Sequence, residues 1–368
     1  MLIRNGLVGV DAYFYPYDGK TVHELASVTK SIMTTLIAIA SDRGKLKLDQ
    51  PMLSFFPERA IVNRDARKER ITVRHLTSMS SGLDSVGKEQ DEGTLKEMMA
   101  SPDWVQFSLD RRVVWEPGTN FIYDSPVIHL LFPILQQATG MTALEFARKN
   151  LFEPLGIQEA IWPTAPQGYN NGSGDIYLHP RDAAKIGYLW LNRGQWEGKQ
   201  VVSRDWVENS VKPQIKTSEG DDYGYGWWVT PGSGVYTAAG RGGQYIKVAP
   251  FLNAIVVPTG GGFDYDEIDP LLTAALVDPD KPLPEKPAGV AQLEAALRTI
   301  VQPPEAQPVP TLSETAKAIS GKTFVFGQNP LKMETMSVEF GGSAEAILHI
   351  KLAGGKFESW PIGLDGVL

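Results

Sequence analysis

The chain of 368 residues has 42% hydrophobic residues and nine tryptophans, which excludes a disordered polymer and predicts one large folded unit with a smaller appendage. A formal net charge of −8 without basic runs argues against nucleic acid as a partner. Cysteine is absent, which excludes thiol catalysis, disulfides and cysteine-based zinc sites. The five histidines are scattered without metal-ligand spacing, so we expect no metal and no cofactor.

The N-terminal segment and the hydropathy pattern bear on location. No apolar run reaches the roughly 18 residues of a membrane span, so we expect no membrane partner. Residues 1–6 lack the apolar core of a signal peptide, so the chain as written is expected to be cytoplasmic. A periplasmic or secreted location would follow if the N-terminus were truncated.

Strand-like segments lie at both ends of the large unit, and helical segments lie between them. Residues 2–15 predict two short strands. Helices are predicted over 27–43, 71–78, 127–139, 143–155, 180–192 and 205–211, with a further helix start at Pro51. Strands are predicted over 223–229, 235–239 and 254–257. This order predicts an α+β fold whose sheet is built from the two ends of the unit.

Two further segments have distinct compositions. The stretch 84–115 is acidic and aromatic by turns, typical either of a pocket wall or of a surface loop with two packed tryptophans. Residues 278–311 are proline-rich around a helical stretch, 290–301, and predict a linker. We therefore predict a domain over 1–277, the linker over 278–311, and a small β-rich C-terminal domain over 312–368. We expect this last domain to be incomplete.

A serine and a lysine stand three residues apart at Ser27 and Lys30, at the start of the first predicted helix. Positions i and i+3 share a helix face, so Ser27 Oγ and Lys30 Nζ can meet, beside the free amides and positive dipole of a helix N-terminus. The same spacing recurs at Ser85 and Lys88, without an apolar helix behind it. The alternative for Ser27 is a capping serine with a solvated lysine.

A nucleophilic serine also needs a base and an oxyanion hole. The G-x-S-x-G elbow is absent, so a serine–lysine arrangement is the better candidate. Lysine and tyrosine both titrate near a pKa of about 10, so a buried Lys30 could keep a neighbouring phenol partly ionised. Tyr123, before Asp124-Ser125, and Tyr169, before Asn170-Asn171, both fit; either could instead be a half-buried structural tyrosine.

Three motifs in fixed order resemble the serine β-lactamase/penicillin-binding superfamily, in its class C β-lactamase-like branch, which includes family VIII carboxylesterases and 6-aminohexanoate-dimer hydrolase. The motifs are Ser27–Lys30 (SVTK), Trp115–Gly118 (WEPG) with Tyr123–Ser125 (YDS), and Gly240–Gln244 (GRGGQ). Supporting segments are His75–Leu83, Leu151–Ile157, Gly174–Leu178 and Pro180–Ala184. The resemblance covers about residues 1–275 and implies a transpeptidase-like fold, an antiparallel sheet flanked by helices with a helical insertion domain.

The resemblance also implies roles. Ser27 would be the acylated nucleophile, with Lys30 and Tyr123 sharing the general base and acid roles, and the oxyanion hole would be the N–H groups of Ser27 and Arg241. Ser125 would take the third place of the tyrosine motif, and Ala238-Ala239-Gly240 would be the third motif, with Ala239 and Gly240 at the substrate. The expected pocket walls are Asp175, Tyr225, Trp227 and Trp228.

The sequence departs from the family pattern at Ala238, which replaces a lysine that helps to bind the substrate carboxylate in β-lactamases and D,D-peptidases. Arg241 would compensate only in part, so we expect a neutral carboxylic ester as the small-molecule substrate. Only 26 residues precede Ser27, fewer than is usual in the family. An amidase or β-lactamase-type hydrolase and a non-catalytic penicillin-binding-like sensor remain the alternatives, and the oligomeric state is undetermined.

Overall fold

The computed structural model describes residues 1–85, 92–262, 270, 271, 274, 285–329, 331–341 and 344–367. The chain divides into two compact units. The first comprises Met1–Asp11 and Gly19–Pro284, and the second comprises Ala12–Asp18 and Glu285–Leu368. The predicted limits at 277 and 311 stay predictions, and the first proline cluster, 279–284, lies outside the described residues.

Helices form the middle of the first unit. They are α1 Val28–Asp42, α2 Ala66–Glu69, α3 Val73–Thr77, α4 Glu92–Ala100, α5 Trp104–Asp110, α6 Ser125–His129, α7 Leu131–Thr139, α8 Ala143–Ala147, α9 Pro180–Leu191 and α10 Arg204–Ser210, with 3₁₀ turns at Met52–Phe55 and Pro250–Leu252 and a π turn at Arg148–Phe152. Gly140 ends α7 in the left-handed conformation, φ +74°, which a glycine adopts without a Cβ clash.

Helix α1 lies at the centre of this unit. Every residue from Val28 to Ala40 is buried, so the helix has no solvent face and is stabilised by packing on all sides. Gly44, at φ +67°, follows its C-cap residue Arg43. The helix predicted over 27–43 is therefore observed with Ser27 as its N-cap residue.

A seven-stranded antiparallel sheet joins the two ends of the first unit, in the order β2-β1-β11-β10-β9-β8-β7. Its strands are β1 Leu2–Arg4, β2 Leu7–Val10, β7 Asp222–Tyr223, β8 Trp228–Val229, β9 Tyr236–Gly240, β10 Gln244–Ala249 and β11 Ala254–Val256; the two-stranded ladders are β3 His23–Glu24 with β4 Tyr177–Leu178 and β5 Gln195–Trp196 with β6 Lys199–Gln200. The antiparallel sheet with flanking helices confirms the predicted fold class.

The second unit contains a four-stranded antiparallel sheet in sequential order. Its elements are α11 Pro287–Ile300, α12 Glu314–Ile319, β12 Phe324–Val325, β13 Met333–Phe340, β14 Glu345–Leu352 and β15 Phe357–Gly363. The backbone N–H of Tyr15 donates to the carbonyl of Ile300 at 2.9 Å, which ties the segment Ala12–Asp18 to this unit.

The stretch 84–115 differs from a simple surface loop, because it contains α4 and α5. Trp104 is buried, whereas Trp115 is 48% exposed, so only one of the two tryptophans packs as expected. Within the described residues no single helix has both the length and the apolar composition of a membrane span; the pair Ser125–Thr139 and Ala143–Phe152, bent by 68°, meets those criteria only jointly.

Candidate active site

Ser27 stands at the N-terminus of the buried helix α1, and its hydroxyl faces a lysine. Its side chain makes no capping hydrogen bond. Instead, Lys30 Nζ donates to Ser27 Oγ at 2.7 Å. The preceding residue, Ala26, is held at φ +44°, a left-handed conformation that is unusual for a residue with a Cβ and is found at strained functional turns. The hydroxyl is therefore directed at the ammonium group and not at the helix.

Lys30 is 1% exposed, so its ammonium must be stabilised by hydrogen bonds to protein groups in place of water. Besides Ser27 Oγ, Nζ donates to the backbone carbonyl of Ser173 at 2.7 Å. It also lies 5.1 Å from the ring centroid of Tyr123, a cation–π distance. The serine, the lysine and Tyr123 therefore meet in one cluster, so that of the two candidate tyrosines Tyr123 is the one beside Lys30.

Tyr123 is held by an aromatic neighbour. Its ring stacks on Trp228 with centroids 5.7 Å apart and an interplanar angle of 17°. The predicted pocket wall Trp227 is not part of this arrangement, since it is 0% exposed and packs against Trp190 and Tyr236. Trp228, the first residue of β8, therefore faces the site, whereas Trp227 immediately before the strand is packed in the core. The prediction that Trp227 lines the pocket is therefore wrong.

Tyr225, the other predicted aromatic wall, also lies elsewhere. It is buried against Trp206 and accepts a hydrogen bond from Arg74.

The tyrosine motif is anchored at its middle residue, Asp124. This carboxylate accepts the N–H of Val127 at 3.0 Å and so caps α6. It also binds the guanidinium of Arg111 through two hydrogen bonds, at 3.0 Å and 2.6 Å. The side chains of Arg111 and Asp124 are 7% and 2% exposed. This buried ion pair fixes the backbone that carries Tyr123 and Ser125.

The loop 171–175 supplies the carbonyl that holds Lys30. Asn171 Oδ1 accepts from the N–H and the hydroxyl of Ser173, at 3.0 Å and 2.7 Å, and Asn171 Nδ2 donates to Asp175 Oδ2 at 2.5 Å. Asp175, at φ +77°, is hydrogen-bonded to Glu24. Burial and the Asp175 carboxylate raise the pKa of Glu24, whereas Arg241 opposes that rise.

The end of strand β9 approaches Ser27 closely. A Cβ on Gly240 would lie 2.5 Å from the Leu25 carbonyl oxygen and 3.1 Å from the Ser27 nitrogen, so only glycine fits. In the described part of the chain, the N–H groups of Ser27 and Arg241 donate no backbone hydrogen bond. The buried Gln244 side chain donates to the carbonyls of Arg241 and Gly260, at 3.2 Å and 2.5 Å, and fixes this turn.

One cavity of about 750 Å³ is lined by the predicted site residues other than Lys30, Tyr225 and Trp227, and Lys30 contacts it through the Ser27 hydroxyl. This volume lies in the range of small-molecule sites. The described residues that line it are Glu24, Ala26, Ser27, Leu95, Met99, Tyr123, Ser125, Asn171, Ser173, Gly174, Asp175, Glu219, Asp221, Trp228, Thr230, Thr237, Ala239, Gly240, Arg241, Tyr245 and Lys247.

The side of the cavity formed by β9 and β10 was only partly predicted. Thr237 pairs with Lys247 and Ala239 with Tyr245, and these four side chains share one face of the sheet. Ala238 points to the opposite face and is fully buried. The alternation of residues 244–249 was the available signal for β10, which the sequence reasoning missed.

Carboxylates outnumber cations among the described residues of the cavity. The carboxylates are Glu24, Asp175, Glu219 and Asp221, and the cations are Arg241 and Lys247. Elsewhere, Lys88 of the second serine–lysine pair lies outside the described residues. No group of three or more histidine, aspartate or glutamate side chains in the described ranges has an arrangement that could hold a metal ion.

Comparisons with known proteins give a family and several relatives for this chain. The family described as Beta-lactamase matches residues 1–258. The 6-aminohexanoate-dimer hydrolase of Paenarthrobacter ureafaciens is 24% identical over 287 residues, 72% of this chain and 73% of that enzyme. Esterase EstB of Burkholderia gladioli is 27% identical over 161 residues, 41% of either chain.

The fold of the whole chain also occurs among solved structures. The octameric penicillin-binding protein homologue from Pyrococcus abyssi superposes with a TM-score of 0.60 at 21% identity. The match covers 98% of this chain and 84% of that chain. At this identity the likeness concerns the fold alone.

Proposed function

This chain belongs to the beta-lactamase family, and we propose that it is a serine carboxylesterase that cleaves neutral esters through an acyl-enzyme on Ser27. The observation that supports this most strongly is the 2.7 Å contact between Lys30 Nζ and Ser27 Oγ inside a ligand-sized cavity. Hydrolases of both ester and amide bonds occur among its relatives, so the choice between the two bonds depends on the cavity.

The proposed reaction has two halves. In the Lys30–Tyr123 couple, the Tyr123 phenolate beside the Lys30 ammonium takes the proton of Ser27 Oγ, and the serine oxygen attacks the ester carbonyl carbon. The oxyanion accepts hydrogen bonds from the N–H groups of Ser27 and Arg241, which the Gly240 backbone brings together. The alcohol then leaves with a proton from the same couple. A water molecule repeats the sequence on the acyl-enzyme, and the acid and the free serine are released.

The charges of the cavity favour a neutral substrate. Among the described lining residues, four carboxylates face two cations. An anionic substrate would meet net negative charge at short range, where electrostatic interactions are weakly screened. The apolar side chains of Leu95 and Met99 offer contacts for an acyl chain at the same cavity.

The amide alternative has one observation in its favour. Arg241 and Lys247 both line the cavity and could bind the carboxylate of a linear amide or a β-lactam. The chain also resembles 6-aminohexanoate-dimer hydrolase over 72% of its length. A third alternative, a sensor that is acylated without turnover, has the same cluster around Ser27.

A substrate screen of the wild type against Ser27→Ala separates these functions. We expect turnover of p-nitrophenyl esters with C2 to C8 acyl chains, abolished in Ser27→Ala, and slow or no turnover of nitrocefin. Nitrocefin hydrolysis at a rate rivalling the esters would favour the amidase. A stable mass adduct without product release would favour the sensor, and either result would contradict the esterase.

A further inference from the structure

A buried histidine lies behind the loop that holds Lys30. His129, the last residue of α6, is 0% exposed. Its ring meets Trp104 edge-on at 5.5 Å and stacks on Phe132 at 6.0 Å. Within this apolar environment His129 Nδ1 accepts the backbone N–H of Gly172 at 3.1 Å. The imidazole therefore binds the cavity loop although it does not line the cavity.

Gly172 is held tightly against this histidine. A Cβ at Gly172 would lie 2.6 Å from His129 Cα and 2.6 Å from the ring of Phe132, so the loop can approach only as glycine. The next residue is Ser173, whose carbonyl accepts from Lys30 Nζ at 2.7 Å. Two hydrogen bonds in series thus connect the imidazole to the ammonium group that contacts Ser27.

The protonation state of the imidazole follows from its partner. Because Gly172 donates, Nδ1 carries no hydrogen, and Nε2 must carry the ring hydrogen. Burial lowers the pKa of His129 to about 4, against an opposing effect of Asp103, so Nδ1 remains an acceptor at neutral pH. Nε2 has no hydrogen-bond partner among the described residues.

That unpartnered Nε2 is informative. An unsatisfied buried N–H destabilises the folded state, and an apolar side chain of similar size would avoid this cost. Histidine is therefore a poor choice for packing alone at this position. The hydrogen bond that Nδ1 accepts from the Gly172 N–H explains why a histidine occupies this buried position.

We propose that His129 is a positioning residue: by accepting the Gly172 N–H, it fixes the Ser173 carbonyl that holds the Lys30 ammonium against Ser27 Oγ. This inference rests on the proposed function, because it concerns the same serine–lysine pair. His129 acts through the loop and does not touch the substrate.

Three substitutions separate positioning from packing. Asn places its Oδ1 near the position of the imidazole Nδ1, whereas Gln places its amide near Nε2, and Leu removes the acceptor. For wild type, His129→Asn, His129→Gln and His129→Leu, we would measure kcat and KM for p-nitrophenyl acetate, the Tm, and the rate of Ser27 labelling by a fluorophosphonate. Labelling reports on the nucleophile without requiring the natural substrate.

We expect His129→Leu and His129→Gln to lower kcat and the labelling rate about 10- to 100-fold with KM nearly unchanged, and His129→Asn to recover most of both rates. Ser210→Ala is the matched control, since Ser210 is fully buried and accepts from Trp190 Nε1 at 3.1 Å, outside the cavity lining. It should lower the Tm without changing the labelling rate.

The outcomes distinguish the inference from the proposed function. Absence of Ser27 labelling in the wild type would contradict the proposed function itself. Normal wild-type labelling with equal rates in His129→Leu, or equal rates in the Asn and Gln variants, would overturn the role of His129 alone. If His129→Leu does not fold, the Asn and Gln pair still decides.

Discussion

Among the described residues, Lys30 and Lys68 are both fully buried lysines, and their ammonium groups have different partners. Lys68 Nζ donates to the backbone carbonyls of Val62 and Leu109, at 3.0 Å and 2.8 Å. Lys30 Nζ donates to a backbone carbonyl and to the Ser27 hydroxyl. Only a hydroxyl can lose a proton and become a nucleophile, so the partner, and not burial, distinguishes Lys30 as the lysine of the proposed mechanism.

These two lysines form a matched pair for mutation. Lys30→Met should lower kcat/KM for p-nitrophenyl acetate by about 10²–10⁴-fold, because the ammonium that contacts Ser27 Oγ and keeps the Tyr123 phenol ionised is lost. Lys68→Met should leave kcat/KM of the folded protein close to that of the wild type, since the described hydrogen bonds of Lys68 Nζ go to backbone carbonyls and Lys68 does not line the cavity. Equal losses of activity in the two variants would contradict the assignment of Lys30.

A substitution at Gly240 tests whether the close approach of strand β9 to Ser27 matters for activity. Gly240→Ala places a Cβ 2.5 Å from the Leu25 carbonyl oxygen and should displace the Arg241 amide. Loss of one oxyanion donor costs about 10²–10³-fold in kcat, which is the expected effect. Gly9→Ala is the control, because a Cβ there would lie 3.8 Å from the Leu2 oxygen, at ordinary contact distance. Equal kcat values for the two variants in steady-state kinetics would contradict the role of the Arg241 amide as an oxyanion donor.

The buried His129 predicts how stability depends on pH. Its pKa is about 4 in the folded chain against an ordinary 6.5, so the unfolded chain binds one more proton between these values. The free energy of unfolding should therefore be highest above pH 6.5 and fall as the pH drops to 4, by on the order of 3 kcal/mol from this group. Urea unfolding of wild type and His129→Asn checks this, and equal pH slopes would contradict it.

At the residue scale, the sequence predicted the side chains that belong to short motifs. Ser27, Lys30 and Tyr123 come together as their spacing and order indicated. The Ser173 carbonyl and His129 were not predicted, because backbone groups and bonds across 43 residues leave no local pattern. Trp227 was predicted to line the pocket together with Trp228, since two adjacent tryptophans give no sign of which one faces the core.

At the scale of elements, the ion pair of Arg111 with Asp124 joins the end of α5 to the start of α6. Asp124→Asn keeps a capping oxygen for Val127 but leaves the buried guanidinium uncompensated, so the free energy of unfolding should fall by about 3–5 kcal/mol. In the control, Glu116→Gln removes an exposed partner of Arg70 and should cost about 0–1 kcal/mol. If urea denaturation gave similar losses of unfolding free energy for both variants, the buried pair would stabilise the fold no more than the exposed pair does.

Helix α4 tests the acyl side of the cavity. Leu95 and Met99 line the cavity from this helix, and each CH₂ group of an acyl chain that packs there contributes about 0.8 kcal/mol. Met99→Trp should therefore lower kcat/KM for C8 esters relative to C2 esters by about tenfold or more. Glu97→Trp, on an exposed position outside the cavity lining, should keep the wild-type ratio. A ratio unchanged in Met99→Trp would place the acyl chain elsewhere.

Elements with strong periodicity were predicted well, and short polar ones were not. The limits of α1 agree with the predicted helix over 27–43 within one residue, because its apolar residues recur with a clear helical period. Helix α4 was missed, since nine residues with few apolar side chains depend on packing against α5 and α6 for their stability.

At the scale of the whole molecule, the sheet of the first unit pairs strands from the beginning and the end of that unit. Strand β1 pairs with β11 in register Leu2–Val256, so the N-terminal strands and the strands after residue 222 form one sheet around α1. The order of strand-like and helical segments predicted this arrangement. The assignment of Ala12–Asp18 to the second unit had no signal in the sequence, because it depends on a backbone contact with Ile300.

The central claim is that Ser27 is the group that becomes acylated. Incubation of the full chain with a fluorophosphonate, followed by peptide mass spectrometry, tests it without knowledge of the substrate. The account predicts one modified peptide, carrying the label on Ser27 in the wild type and none in Ser27→Ala. A label on another side chain, or undiminished labelling of Ser27→Ala, would contradict it.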